Sequence, residues 1–300
     1  MTAARHCAIS SGFWAAAALA GAVVAARAQT GPLQPAGIPT TRTVDPRPAV
    51  AQGQVAEYRI ASRAFGRERR IWVYTPPGYA PGADTAYGLV VAFDGGEYLD
   101  TIPLPMILDT LLAAGQAPPC VAVLIDDSTS QQRLNDLANH ARFVTFLGDE
   151  VMPWVRAHWR VTHDPGRTIV TGSSAGGLAA IYAALRRPDL FGNVLSQSGA
   201  LWRGNEGSNS PPYEWLTGRY ATAPRQQVRF FLDVGALETR GAMRGAAPSL
   251  LEANRRLRDV LRTRGYMVTY TEVPDGNHAP WFWKLRLPNG IVTLTHAPPP

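Results

Sequence analysis

The sequence predicts an α/β protein built on a mostly parallel central sheet with helices on both faces. Three features carry that expectation. Beyond Ile60, short β-branched runs alternate with longer segments of helical period, the order that builds a parallel sheet through crossover helices. Leu89-Val90-Val91-Ala92-Phe93 and Val121-Ala122-Val123-Leu124-Ile125 are continuous apolar runs, as strands covered on both sides require. The run Arg167 to Thr171 leads through a glycine-rich turn straight into the helical pattern Leu178 to Leu185.

In chain order, strands are expected over 57–62, 70–75, 88–93, 120–125, 168–172, 193–197, 228–233 and 267–272. A tight Phe65-Gly66-Arg67 turn should join the first two as an antiparallel hairpin at one sheet edge. Helices are expected near 104–115, 143–159, 175–186 and 248–264; the last opens on Pro248-Ser249 and stops at Gly265. The aromatic cluster Trp281-Phe282-Trp283 reads as a helix packing into the core, and His296 falls in a proline-rich tail.

Ahead of this body, residues 1–28 read as a secretory signal peptide. Arg5 and His6 precede an apolar stretch from Phe13 to Val24, too short to span a bilayer, and Ala26-Arg27-Ala28 offers a small-residue cleavage site after Ala28. A periplasmic protein with no stable membrane anchor is expected. Residues 29–56, with Pro32, Pro35, Pro39, Pro46 and Pro48 and no hydrophobic period, read as a linker, so that 57–300 form a single catalytic domain starting near Glu57. With 46% hydrophobic and 17% charged residues, the chain is neither disordered nor a disulfide scaffold. The formal charge of +6 includes Arg5 and Arg27, and the remainder is too mild and dispersed for nucleic-acid binding. Cys120 is the one cysteine beyond the leader, which excludes an internal disulfide. No metal or cofactor is called for.

Chemistry is carried by Gly172-Ser173-Ser174-Ala175-Gly176-Gly177. Between a strand and a helix, this G-x-S-x-G turn forces its central residue into a strained conformation and leaves Ser174 projecting from the sheet edge. The Ala175 amide, at a helix N-terminus, would face a developing oxyanion. A serine nucleophile needs a base, and His278, on a loop after the last strand, has the right place in the order Ser, acid, His. The other histidines beyond the leader are His140, His158, His163 and His296; His158 and His163 read as surface residues. The orienting acid should follow strand 228–233. Glu238 lies beyond the strand end and is favoured; Asp233, inside it, and Asp275, on the loop of His278, remain alternatives. A second oxyanion donor is expected from Asp94-Gly95-Gly96-Glu97, with Gly96 first and Gly95 next.

From Arg70 to Trp283 the sequence resembles the enterochelin esterase family of the α/β-hydrolase superfamily. The carriers are Phe93-Asp94-Gly95, Leu108 to Leu111, Pro118-Pro119, Val123 to Asp126, Arg133 with Asp136-Leu137 and Phe143, Glu150 to Arg156, Gly172 to Gly177, and Phe191 to Gly199 leading to Trp202. The resemblance implies an α/β-hydrolase fold, Ser174, His278 and Glu238 as nucleophile, base and acid, and a substrate cleft lined by Arg133 and Trp202. It also implies a periplasmic esterase for an anionic ferric catecholate siderophore, since the chain lacks the extra N-terminal domain of cytoplasmic members. Two departures bear on the cleft. Asp136 and His140 stand where the family has Glu and Asn, and the doubled aromatic is reduced to Trp202-Arg203. The alternatives are a feruloyl or acetyl carbohydrate esterase on the same fold, and a non-catalytic siderophore or glycolipid carrier.

Overall fold

The structure, a computed structural model, describes residues 50–126, 130–137 and 140–296. The leader and most of the proline-rich stretch lie outside the described residues. Eight strands form one sheet: β1 (Gln54–Ser62), β2 (Arg67–Thr75), β3 (Gly88–Phe93), β4 (Cys120–Ile125), β5 (Thr168–Ser173), β6 (Asn193–Gln197), β7 (Arg229–Gly235) and β8 (Met267–Val273), in the spatial order β1-β2-β4-β3-β5-β6-β7-β8. The β1–β2 hairpin is antiparallel, β2 runs antiparallel to β4, and the six strands from β4 to β8 are parallel. This is the α/β-hydrolase fold.

The fully apolar runs sit where they must. Every residue of β3 and β4 is buried, because helices cover both faces of the sheet there. The folded body begins earlier than the sequence predicts. β1 already starts at Gln54, and the Gly53 N–H donates to Asp109 Oδ1 at 2.9 Å, so the expected linker boundary at residue 56 cuts into the edge strand. Pairing along the whole of β2, from Gln54 opposite Thr75, supplies hydrogen bonds that the proline-containing sequence just ahead does not advertise.

The helices are α1 (Gly95–Asp100), α2 (Leu104–Ala113), α3 (Ser130–Leu137), α4 (Ala141–Phe146), α5 (Met152–His158), α6 (Ala175–Arg186), α7 (Trp215–Thr222), α8 (Leu250–Thr263) and α9 (Pro280–His296). The single helix expected over 143–159 is interrupted. Residues Leu147–Val151 form a π turn in which the Met152 N–H reaches the Leu147 carbonyl, one turn-widening residue ahead of Pro153, whose ring nitrogen has no hydrogen to give. α8 is held at its start by a reciprocal Ser249–Glu252 capping box and ends before Gly265, at φ 77°. His296 closes α9 instead of lying in a tail, a second correction to the sequence reading. The C-terminal helix extends because the apolar side chains of Phe282, Trp283, Leu287, Ile291 and Leu294 keep helical spacing and are buried against the sheet.

Candidate active site

Ser174 occupies the sharp turn between β5 and α6 at φ 54°, ψ −115°. A non-glycine residue there is strained by roughly 1–3 kcal/mol and persists only where its surroundings over-determine it. They do so here on both sides: the Ser174 N–H donates to the Gln197 carbonyl at 2.9 Å, and its own carbonyl accepts from Ala200 N–H at 2.9 Å and Leu178 N–H at 3.1 Å. The glycines of the motif are demanded by close approach. A Cβ on Gly172 would fall 2.5 Å from the Gly176 carbonyl carbon, and one on Gly177 would fall 2.5 Å from Ser196 Oγ.

Three of the predicted side chains converge. His278 Nε2 is 3.0 Å from Ser174 Oγ, and His278 Nδ1 is 2.7 Å from Glu238 Oε2. A carboxylate can only accept, so Nδ1 carries the proton and Nε2 is left to accept from the serine hydroxyl. Glu238 stands on the turn after β7, nearly buried, and its Oε1 accepts from Ser198 Oγ at 2.6 Å and from Gly235 N–H at 2.9 Å. The alternatives for the acid stay away from the imidazole. Asp275 is exposed on the loop, whereas Asp233 is buried inside β7 with Gln197 Nε2 at 3.4 Å from its Oδ2.

Burial pushes the Asp233 carboxyl up to about 7, against the pull of Arg286 and Gln197. The sign of the resulting pH effect follows from proton binding. Between the ordinary carboxylate range near 4 and about 7 the folded chain holds a proton that the unfolded chain has lost, so stability falls as pH rises through that window, by at most about 1.4 kcal/mol per pH unit. Asp233→Asn is expected to flatten this slope and to raise the denaturation midpoint at pH 7 relative to the wild type. Urea titrations at pH 5 and pH 7 check it; parallel slopes in the two proteins would remove Asp233 as the cause.

Residues that the sequence reading passed over complete the support. Ser198, at φ 47°, also accepts from Trp283 Nε1 at 3.0 Å, and the Trp283 ring meets the His278 ring edge-on at 5.0 Å and 89°. Phe282 and Trp283 of the aromatic cluster pack into the core, as expected, whereas Trp281 is half exposed; Trp283 also braces His278 and, through Ser198, Glu238. Tyr98 donates to Gln197 Oε1 at 3.1 Å, and Gln197 Nε2 donates to the Trp283 carbonyl at 2.9 Å, tying α1, β6 and α9 together beneath the site.

On the other side of Ser174 lies the loop after β3. Asp94, buried and left-handed at φ 58°, is gripped by both Nε and Nη2 of Arg133, the latter at 2.7 Å. Desolvation pushes the Asp94 carboxyl up while Arg133 pulls it back. Arg133 therefore stands beside the nucleophile turn, its Nη2 also 3.4 Å from the Ser173 carbonyl, with about a quarter of its side chain exposed. Gly95 is required by packing, since a Cβ there would meet the β4 backbone at 2.8 Å; at Gly96 the nearest atom would be 3.7 Å away. The Gly96 and Ala175 N–H groups belong to the first turns of α1 and α6, where no intrahelical carbonyl is available to them. Trp202 is half-buried, with the Arg203 guanidinium 4.8 Å over its face and the Tyr213 ring 6.4 Å away. Asp136 faces away from this cleft: it is buried and bonded to Arg67 at 2.7 Å and Arg69 at 2.6 Å of the edge hairpin.

Comparison with known proteins bears on what this arrangement does. The family model Esterase matches residues 62–294. The chain is 30% identical over 233 residues to the Iron(III) enterobactin esterase of Escherichia coli K12, covering 78% of this chain and 55% of that protein. It is 37% identical over 146 residues to the Iron(III) enterobactin esterase of Dickeya dadantii, covering 47% of this chain and 32% of that one. The Shigella flexneri enterobactin esterase crystallised in the presence of enterobactin superposes with a TM-score of 0.70 at 28% identity, over 80% of this chain and 59% of its own. The chain spans little more than half the length of the first of these curated relatives.

Proposed function

Because this chain belongs to the esterase family whose model spans strands β2 to β8 and all three converging side chains, we propose that it is a periplasmic serine esterase opening the ester bonds of a catecholate trilactone siderophore. The observation that carries the reading is the continuous relay from Ser174 through His278 to Glu238, set on a strained turn. In this mechanism Ser174 Oγ attacks the ester carbonyl as His278 Nε2 takes its proton, and Glu238 stabilises the imidazolium. The carbonyl oxygen, now an anion, is held by the Ala175 and Gly96 N–H groups. His278 then returns the proton to the leaving seryl alkoxide, and water, activated by the same imidazole, releases the acyl group from Ser174.

A catecholate trilactone offers flat aromatic rings and, once iron is bound, three negative charges. Trp202 would present a ring face and the exposed part of Arg133 a cation. The export to the periplasm rests on the leader-like residues 1–28. Mass spectrometry of products from enterobactin, with and without iron, and from methyl ferulate tests the reading. Stepwise opening of the trilactone by the wild type but not by Ser174→Ala supports it; cleavage of the ferulate alone would move the chain to the carbohydrate esterases.

The acid is expected to matter less than the base. Glu238→Ala should lower kcat by about 10- to 10³-fold, since it removes orientation of the imidazole and not the proton acceptor itself. It also strands the Ser198 hydroxyl and the Gly235 N–H, so a drop in Tm of a few degrees should accompany it. Steady-state kinetics beside a melting curve check both; a larger loss in Asp233→Ala or Asp275→Ala would displace Glu238 from the role.

A further inference from the structure

One ionisable group at the site has no part in that mechanism. Glu97, the third residue of α1, directly follows Gly96, and its Oε2 accepts from the hydroxyl of Ser173, the neighbour of the nucleophile, at 3.2 Å. It is half-buried, and the serine that donates to it is the residue next to Ser174. Among the described residues it forms no ion pair. Arg133, whose charge it feels, is held at two points by Asp94. A carboxyl thus stands beside the oxyanion side of the reacting centre without a cation of its own.

The charged groups that face it come from every neighbouring element: Asp94 from the β3–α1 loop, Arg133 from α3 and His278 from the loop before α9. Asp126, beyond β4, lies near Gly96 and is itself bridged by Arg70 at 2.7 Å. Burial and Asp94 push the Glu97 carboxyl up, and its hydrogen bond from Ser173, Arg133 and His278 pull it back. Its field reaches His278 and the atoms that react there.

We propose that Glu97 selects the acyl group by charge: it disfavours an acyl group that carries negative charge close to the scissile carbonyl and leaves an uncharged one unaffected. This rests on Ser174 being the nucleophile. A like charge across a partly desolvated gap raises the barrier for the anionic acyl group alone, while a neutral group loses nothing.

The test uses two p-nitrophenyl esters of similar acyl length on the full chain, the butyrate, which is neutral, and the 3-sulfopropionate, whose charge persists at every pH. The wild type is expected to prefer the butyrate, and Glu97→Gln, which keeps an acceptor for Ser173, should raise kcat/KM for the sulfonate at least tenfold and leave the butyrate within threefold. In the wild type the preference should shrink as pH falls and Glu97 takes up a proton; in Glu97→Gln it should not change. The fraction of active enzyme is common to both esters and cancels in the ratio. A ratio that is the same in both proteins and constant with pH overturns the proposal. Should the variant fail to fold, the pH dependence of the wild-type ratio decides alone. Failure of the wild type to cleave either ester faster than Ser174→Ala would overturn the esterase reading itself, a different outcome from an unselective enzyme.

Discussion

Ser174→Ala is expected to lower kcat for ester hydrolysis by at least about 10³-fold, with Tm unchanged within a degree or two and ligand affinity within a few-fold. The hydroxyl is the one atom lost. The strained backbone at φ 54° is fixed by the Gln197, Ala200 and Leu178 hydrogen bonds, none of which involves the side chain, so the turn keeps its shape. His278→Ala should be as damaging, and the double variant no worse than either single one, because nucleophile and base act as a unit across their 3.0 Å contact. Burst kinetics with a chromogenic ester measure all three, and Ser173→Ala is the matched control. Turnover within tenfold of wild type in Ser174→Ala would take that residue out of the mechanism.

Gly172→Ala is the second large effect, and it works through position. The added methyl would stand 2.5 Å from the carbonyl carbon of Gly176 and 2.7 Å from its oxygen. Both are backbone atoms of the first turn of α6 and cannot swing aside. The helix must therefore shift against β5, which overpacks the core at a cost of about 1–3 kcal/mol. Because Ser174 sits at the joint, the same shift moves Oγ relative to His278, and misplacement by about 1 Å can cost 10²-fold in rate. We expect a stable fold with a lowered denaturation midpoint and kcat reduced at least 10²-fold. Gly218→Ala is the control, since a Cβ at Gly218 in α7 would meet nothing within 4 Å. Wild-type turnover in Gly172→Ala would show that the turn has slack that its geometry denies.

Much of this was legible from patterns that two faces of a sheet impose. β3 and β4 lie where continuous apolar runs predict them, because strands buried on both sides tolerate little else. Short helices were not legible. α1 opens on two glycines, α3 is almost wholly polar and α7 contains Gly218; each is formed by its place between strands and not by its own periodicity. At the site, Ser174 could be read because the turn dictates glycines at fixed spacing, and His278 and Glu238 because the fold dictates chain order. Ser198 and Glu97 could not. Their roles arise from a positive φ at a serine and from a carboxyl folded back under a neighbouring strand, and neither leaves a periodic mark. Arg133 was read through resemblance as lining the cleft; its two-point grip on Asp94 is a long-range contact between α3 and the β3–α1 loop, which spacing along the chain does not reveal.

The bracing of His278 by Trp283 bears on when in its own synthesis the chain can react. The nucleophile turn is complete once α6 has formed, but its base lies 104 residues further on, and the indole that supports both base and acid lies beyond that, on the last helix. A growing polypeptide therefore carries an inert serine through most of its emergence. The proposed triad and its support are complete only when β5 through β8 and α9 are all in place. On the proposed reading, a chain cut short before α9 would keep its serine but lack the Trp283 that braces His278 and Ser198.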